Sequence, residues 1–336
     1  MIKKYVKFQK KEEERQEKQG RLFIKGLQMK VETVGEVAVN HGYDQQKGCF
    51  ESASVVLPVI NEVRSLQQTV DILFEYTEES IREVIIVVCD KTTSESLFVC
   101  NELRKRYTGK IRIIWQVLPF LGGALREGLI SATGSHVIVM FSDGESDPRT
   151  VGDLVMMAKG HPDEIISASR WLKRNSFEGY PALKTFLNYF FQKAFALLFG
   201  KNITDFSFGY RIYPKQLIRE IQWEETGHSF VLESILKPLC LNIKVIEIPS
   251  SWKARSEGKS QLKIHMYLRY LWVGLKVKIT PNRYFIKLKT SNKIGVLAKQ
   301  RTAHQIKGKG ISFVDRAKTG LLKDPPPLTH LTSPSE

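Results

Sequence analysis

The 336-residue chain lacks any run of about 18 uninterrupted apolar residues, the length a membrane-crossing helix needs. Cysteine is sparse, and Cys49, Cys89, Cys100 and Cys240 form no C-x-x-C pair. That argues against a disulfide framework or a cysteine zinc site and suits a reducing, cytoplasmic setting. The first residues, MIKKYVK, run straight into charge, so no apolar segment of a secretory signal is visible. Acidic residues are short relative to basic ones, 35 against 51, which leaves a net charge of +16. An excess of that size suits phosphate-bearing substrates, an anionic membrane surface or nucleic acid. No internal repeat is present, so repeat architectures are set aside.

What the chain does have is a globular share of apolar residues, 42%, enough for a sizeable core. Residues 1–50 read as a charged extension, dense between Lys10 and Lys18 (KKEEERQEK). A regular α/β rhythm follows. Ser54–Val59 (SVVLPV), Val84–Val88 (VIIVV), Ile111–Gln116 (IRIIWQ) and Val137–Phe141 (VIVMF) are short β-branched runs, the pattern of strands buried on both faces. Helical spacing separates them at Leu66–Tyr76, at Leu97–Tyr107 and after Gly122-Gly123. The spacing predicts a doubly wound, mainly parallel, Rossmann-like sheet, which binds ligands at the carboxyl ends of its strands. Further on, Glu164–Ala168 and Ile243–Ile248 read as strands and Leu183–Phe199 as an apolar helix. Beyond Ile286 the composition turns to Lys, Gly, Ser and Thr and reaches Pro325-Pro326-Pro327, a flexible tail.

Asp143, Glu145 and Asp147 directly follow the fourth run at i, i+2 and i+4. Three carboxylates on one loop suit a hard divalent cation, Mg²⁺ or Mn²⁺, with a substrate diphosphate completing the oxygen shell. Such an ion would offset charge on a departing diphosphate; the plainer reading is an acidic turn. Asp90 ends the second run, where it either meets a base or ribose or caps the helix that Thr92, Thr93 and Ser94 begin. Gly123, in the Gly-Gly pair, allows close backbone approach at a helix N-terminus suited to phosphate, or is only a turn. Arg170 and Arg211 carry the planar fork that grips phosphate bidentately, unless they serve ordinary ion pairs. Glu233 sits on an apolar helical run (FVLE), as a general base or as a structural carboxylate. His228 and His265 read as non-ligands.

These residues resemble family 2 glycosyltransferases of the GT-A fold, with the dolichol-phosphate mannose synthase branch the best match. Leu57-Pro58-Val59-Ile60-Asn61-Glu62 is similar to the family's Leu-Pro-x-x-Asn-Glu opening, and Asp143-Gly144-Glu145 stands where the family has Asp-x-Asp. Gly122–Gly128 with Ala132-Thr133-Gly134, Ser169-Arg170, Asp205–Arg211 and Arg255–Ser260 follow in the family's order, between Ser54 and Leu262. The departures are Glu145 for Asp, Lys91 for Gly, Phe208 for Ser and Gln261 for Lys. The resemblance implies an inverting transferase using a UDP- or GDP-linked sugar. Pro58, Asn61, Glu62 and Asp90 would line the nucleotide site, and Asp143, Glu145 and Asp147 would hold the metal. Arg170 and Arg211 would meet phosphates, Arg255, Lys259 and Ser260 would close over the diphosphate, and Glu233 would serve as base for a hydroxyl acceptor. The acceptor it favours is a polyprenyl phosphate, with a saccharide hydroxyl second.

Residues 51–263 are then the catalytic domain and 287–336 a basic tail. Ile264–Ile286 interleaves aromatics with Arg269, Lys276, Lys278 and Arg283, as in a helix lying on an anionic leaflet, or else as a core helix. Together these features place the chain in the cytoplasm, peripheral to the inner face of a membrane, with no nucleic acid partner. A purely basic binding module leaves the acidic loop unexplained. A nucleotidyltransferase lacks its Arg-rich loop after the first strand.

Overall fold

A computed structural model describes residues 48–77, 79–255 and 264–287, with side chains from 268 onward in the last segment. Residues 1–47 of the charged extension, 288–336 of the basic tail, Lys259 and Ser260 lie outside the described residues.

The β-branched runs form β1 (Ala53–Pro58), β2 (Ile81–Val88), β3 (Ile111–Trp115) and β4 (His136–Val139), all mutually parallel. They are four of the strands in a seven-stranded sheet of order β3-β2-β1-β4-β7-β5-β8, where β5 is Ile165–Ser169, β7 is Arg211–Pro214 and β8 is Val245–Pro249. Strand β7 runs antiparallel to both neighbours, β4 and β5. A two-stranded sheet pairs β6 (Phe177–Glu178) with β9 (Trp252–Lys253).

Alternation along β1 divides the core. Val55 and Leu57 face α1 (Arg64–Thr77), α2 (Ser94–Arg106) and α4 (Thr150–Gly160), while Val56 faces α3 (Phe120–Ser131), α6 (Lys215–Glu220) and α7 (Phe230–Cys240). Helix α1 buries Leu66, Thr69, Val70, Leu73 and Phe74, the stripe that 3.6-residue periodicity produces. A third cluster joins α7 to α5 (Ala182–Phe199) and α8 (Ile264–Ile279) through Phe195, Phe199, Leu232, Leu236, Val273 and Val277. Among the described residues no helix is long and apolar enough to cross a membrane.

Candidate active site

The acidic loop leaves β4 at the carboxyl end of the parallel strands, beside the loops that follow β1 and β2. The β1 loop is built by its own acid: the Glu62 carboxylate accepts from the backbone N–H groups of Ile60 (2.7 Å) and Asn61 (3.0 Å). It is tied to the β2 loop by Thr92, whose hydroxyl donates to the Val59 carbonyl (2.8 Å) and accepts from Cys89 N–H (2.9 Å). Thr93 caps α2 by accepting from Ser96 N–H. Asp90 is therefore not the helix cap and stays exposed, as does Asn61, with Pro58 half-buried between them.

Gly144 adopts φ +76°, a left-handed turn that residues with a Cβ seldom accept. The turn lets Glu145 N–H reach back to Asp143 Oδ1 at 3.1 Å. The other three carboxylate oxygens of the pair are also occupied. Arg255 donates from Nη2 to Asp143 Oδ2 (3.0 Å) and from Nε to Glu145 Oε1 (2.8 Å), and Trp252 Nε1 donates to Glu145 Oε2 (3.1 Å). Trp252 is held by an edge-on contact with Tyr180, ring centroids 4.7 Å apart. The strap over the pair is sewn down by Lys253 N–H to Glu145 O (3.0 Å). Asp143 is only 9% exposed. Burial, with the Glu145 carboxylate beside it, pushes its carboxyl up to about 6 against the pull of Arg255.

Asp147 does not complete a triad. Its carboxylate accepts from Arg149 N–H (3.0 Å), and its carbonyl takes Thr150 N–H at the start of α4 (3.2 Å). It lines an open groove of about 700 Å³ with Arg149, Asp153, Lys173, Arg174 and Ser250, which neither Asp143 nor Glu145 lines. Among the described residues no three His, Cys, Asp or Glu side chains are gathered as metal ligands. The expected three-carboxylate centre is thus reduced to a pair. Two carboxylates crowded enough to raise one of them still fit a hard divalent cation whose remaining ligands are diphosphate and water oxygens.

The family 2 glycosyl transferase model matches residues 54–222, which include β1 to β4 and the carboxylate pair. The chain belongs to that family. Over 236 residues it is 25% identical to a dolichol-phosphate mannosyltransferase of Pyrococcus furiosus, covering 66% of this chain and 63% of that protein. An undecaprenyl-phosphate mannosyltransferase of Micrococcus luteus is 22% identical, over 62% of this chain and 86% of the relative. The chain spans somewhat less than two thirds of the Pyrococcus protein's length. The fold matches glucosyl-3-phosphoglycerate synthase of Mycobacterium tuberculosis, solved with Mn²⁺, UDP and its product, with TM-score 0.54 and 16% identity over 68% of this chain and 81% of that one.

Against the family pattern, several expected site residues prove to be walls. Arg211 is fully buried, donating to Ser167 Oγ, Ser234 Oγ and the carbonyls of Val231 and Phe206 at 2.7–3.2 Å. Four of its five N–H donors are committed, and none of the side chain is exposed to meet a phosphate. Arg170 is buried in a two-point pair with Asp205 (2.7 and 3.0 Å), stacked between the rings of Phe177 and Phe208. Phe208, the departure from the family's Ser, is one face of that stack. Glu233 accepts from the N–H groups of Glu224 (3.0 Å) and Glu225 (2.9 Å) and pairs with Lys237 at 2.6 Å. Burial outweighs Lys237 and holds its carboxyl above the usual range. It braces the 222–229 loop and presents no free base. Gly123 donates its N–H to the Thr226 carbonyl (3.0 Å), and a Cβ there would strike the Leu118 backbone at 2.5 Å. Helix α3 starts at Phe120, so both glycines pack inside its first turn and contribute no phosphate cradle.

Sequence reasoning named Arg255 but missed Trp252 and its contact with Glu145. The only cue is a tryptophan standing in a polar stretch, SSWKAR, three residues before Arg255.

Proposed function

We propose that this chain transfers a sugar, with inversion, from a UDP- or GDP-linked donor to a polyprenyl phosphate. The observation that carries the reading is the Asp143–Glu145 pair at the strand ends with Arg255 bridging it, an arrangement suited to a metal-bound diphosphate. Asp143 and Glu145 would hold Mg²⁺ or Mn²⁺, which when bound offsets the charge on the leaving nucleoside diphosphate. Asp90, Asn61 and Glu62 border the nucleotide side. Arg255 moves from the carboxylates to the diphosphate, where its fork grips two oxygens; Lys259 and Ser260, which follow it in sequence, would contact the same diphosphate. An acceptor phosphate oxygen attacks the anomeric carbon from the face opposite the bond to the diphosphate. That bond breaks with its electron pair leaving on the diphosphate oxygen.

The commitment of Glu233 to backbone N–H groups and Lys237 favours a phosphate acceptor over a saccharide hydroxyl. An anionic phosphate needs no base to attack, whereas a hydroxyl does.

The lipid half of the reading is supported by the α5–α8 surface. Leu183, Phe186, Leu187, Phe190 and Leu197 on α5 and Leu268, Leu271, Trp272 and Leu275 on α8 are exposed. The helices cross where a Cβ on Gly274 would meet the Phe195 ring at 2.4 Å. Exposed Lys184, Lys193, Lys278 and Arg283 accompany them. Apolar patches of this kind edged by cations suit an anionic bilayer. Domain limits of 51–263 for catalysis and 264–286 for attachment follow from this reading, with the chain peripheral to the cytoplasmic leaflet and no role for nucleic acid. Mannose, named for both relatives, is the first sugar to test.

The test is transfer from GDP- and UDP-sugars, with and without polyprenyl phosphate in vesicles. Product is expected only with the lipid phosphate and Mg²⁺ or Mn²⁺. Transfer to soluble saccharides alone would overturn the acceptor.

A further inference from the structure

The geometry points to Arg255 as the resident counter-cation of the Asp143–Glu145 pair, one that a divalent metal must displace, so that metal and nucleotide diphosphate enter the site cooperatively. The inference rests on the diphosphate-site reading above and concerns the order in which that site fills.

Each of the four carboxylate oxygens already accepts one hydrogen bond, from Glu145 N–H, Arg255 Nη2, Arg255 Nε and Trp252 Nε1. The two from Arg255 are charged contacts of 3.0 and 2.8 Å, one to each acid. A divalent ion bound to the same oxygens at ~2.1 Å would stand within a few ångströms of the guanidinium, and at that separation like charges repel strongly in a partly buried site. The Arg255 side chain is 23% exposed, so little water is present to screen it. Metal and Arg255 therefore exclude one another from the pair.

Arg255 has a way out that Arg170 and Arg211 lack. Its side chain is partly exposed where theirs are buried, and among the described residues its guanidinium donates to the two carboxylates. A diphosphate offers the same fork an equivalent bidentate partner. Once Arg255 has transferred, the carboxylates are free for the cation, and the cation in turn favours the diphosphate. Such coupling is reciprocal by thermodynamic necessity. Trp252 is not displaced, because it holds the Glu145 oxygen opposite the one Arg255 takes; it is a positioning residue that keeps Glu145 aimed at the pair.

The experiment titrates the nucleotide-free full chain with Mn²⁺, following loss of the free-ion electron paramagnetic resonance signal. It compares wild type with Arg255→Met and with Arg255→Gln, which retains a donor toward Glu145 and loses only the charge. Both variants are expected to bind Mn²⁺ about tenfold more tightly than wild type. Adding UDP or GDP should tighten Mn²⁺ binding more in wild type than in either variant. Variants that bind Mn²⁺ no better than wild type overturn the inference. If Mn²⁺ stays unbound in all three proteins until nucleotide is added, the metal site survives and the displacement is overturned. The first arm uses no sugar donor, so it stands apart from failure of the transfer assay.

Discussion

Around Arg211 four neutral oxygens take up the guanidinium and none of it reaches solvent. Around Arg255 two carboxylates hold the same group at a partly open surface, on a strap whose Trp252, Lys253 and Ala254 N–H groups donate to the Ser176, Glu145 and Glu178 carbonyls. The first arrangement costs desolvation of a charge and recovers it through several fixed hydrogen bonds within the core. The second keeps two acids close together and leaves their cation able to depart. A fixed arginine shapes the wall of a site, and a replaceable one can act in it. Arg170 stands with Arg211, since Asp205 and two aromatic rings immobilise it.

Breaking the wall gives the largest effect. Arg211→Met removes four buried hydrogen bonds, to the Ser167 and Ser234 hydroxyls and the Val231 and Phe206 carbonyls, and is expected to cost about 4 kcal/mol of unfolding free energy. Arg170→Met leaves Asp205 charged and fully buried, with an expected loss of about 3 kcal/mol. Urea denaturation measures both. A variant of normal stability that binds nucleotide poorly would put that arginine back in the site.

Asp143→Asn acts on the other side of the comparison. It should lower transfer by about 10²-fold or more, the scale seen when a group stabilising developing charge is removed, while the fold is retained. Steady-state transfer and circular dichroism on the same samples separate the two effects. Residual activity within threefold of wild type would remove Asp143 from the chemistry.

The parts of this comparison were unequally legible in the sequence. Strands β1 to β4 are buried on both faces, so their β-branched runs announce them, and the acids after β4 follow from where such sheets bind ligands. Strand β7 is four residues long, begins with Arg211 and ends with Pro214; neither composition nor period marks such a segment as a central strand. The burial of Arg211 is equally hidden, because its four acceptors come from β5, α7 and the loop before β7. The spacing of Asp143, Glu145 and Asp147 suggested one centre. The turn at Gly144 folds Glu145 back on Asp143, and the start of α4 claims Asp147. Glu233 on an apolar helix reads equally as a base or as a structural carboxylate, and only the fold sets two N–H groups of a loop eight and nine residues earlier against it.

The apolar face tests whether a third region behaves like neither arginine. Phe190→Ser with Leu271→Ser removes two exposed side chains from α5 and α8 without opening the core. Each contributes about 1–2 kcal/mol when buried in an apolar phase. Binding to vesicles containing phosphatidylglycerol should therefore weaken by about 30-fold or more, with donor hydrolysis unchanged. Binding equal to wild type would argue against a bilayer as the occupant, equal binding to neutral vesicles would argue against a role for the flanking cations, and concentration-dependent self-association would indicate a second copy.

The smallest effect concerns the cost of keeping the acids together. The Asp143 carboxyl titrates at about 6 in the folded, metal-free protein and near its ordinary 3.8 when unfolded. Between those values the folded state binds more protons, so this group's contribution to stability falls as pH rises, and the full penalty is present above pH 6. Asparagine cannot ionise, yet its amide oxygen can keep the Glu145 N–H bond. Metal-free Asp143→Asn should therefore be more stable than wild type by about 1 kcal/mol at pH 8. The advantage should shrink through pH 6–4 and vanish below the unfolded value. Thermal unfolding of both proteins across that range reads the difference directly, and the groups they share cancel. A variant less stable than wild type at pH 8 would mean that Arg255 more than compensates the pair. In that case the cation would be a structural staple like Arg211, and the two arginines would no longer differ in kind.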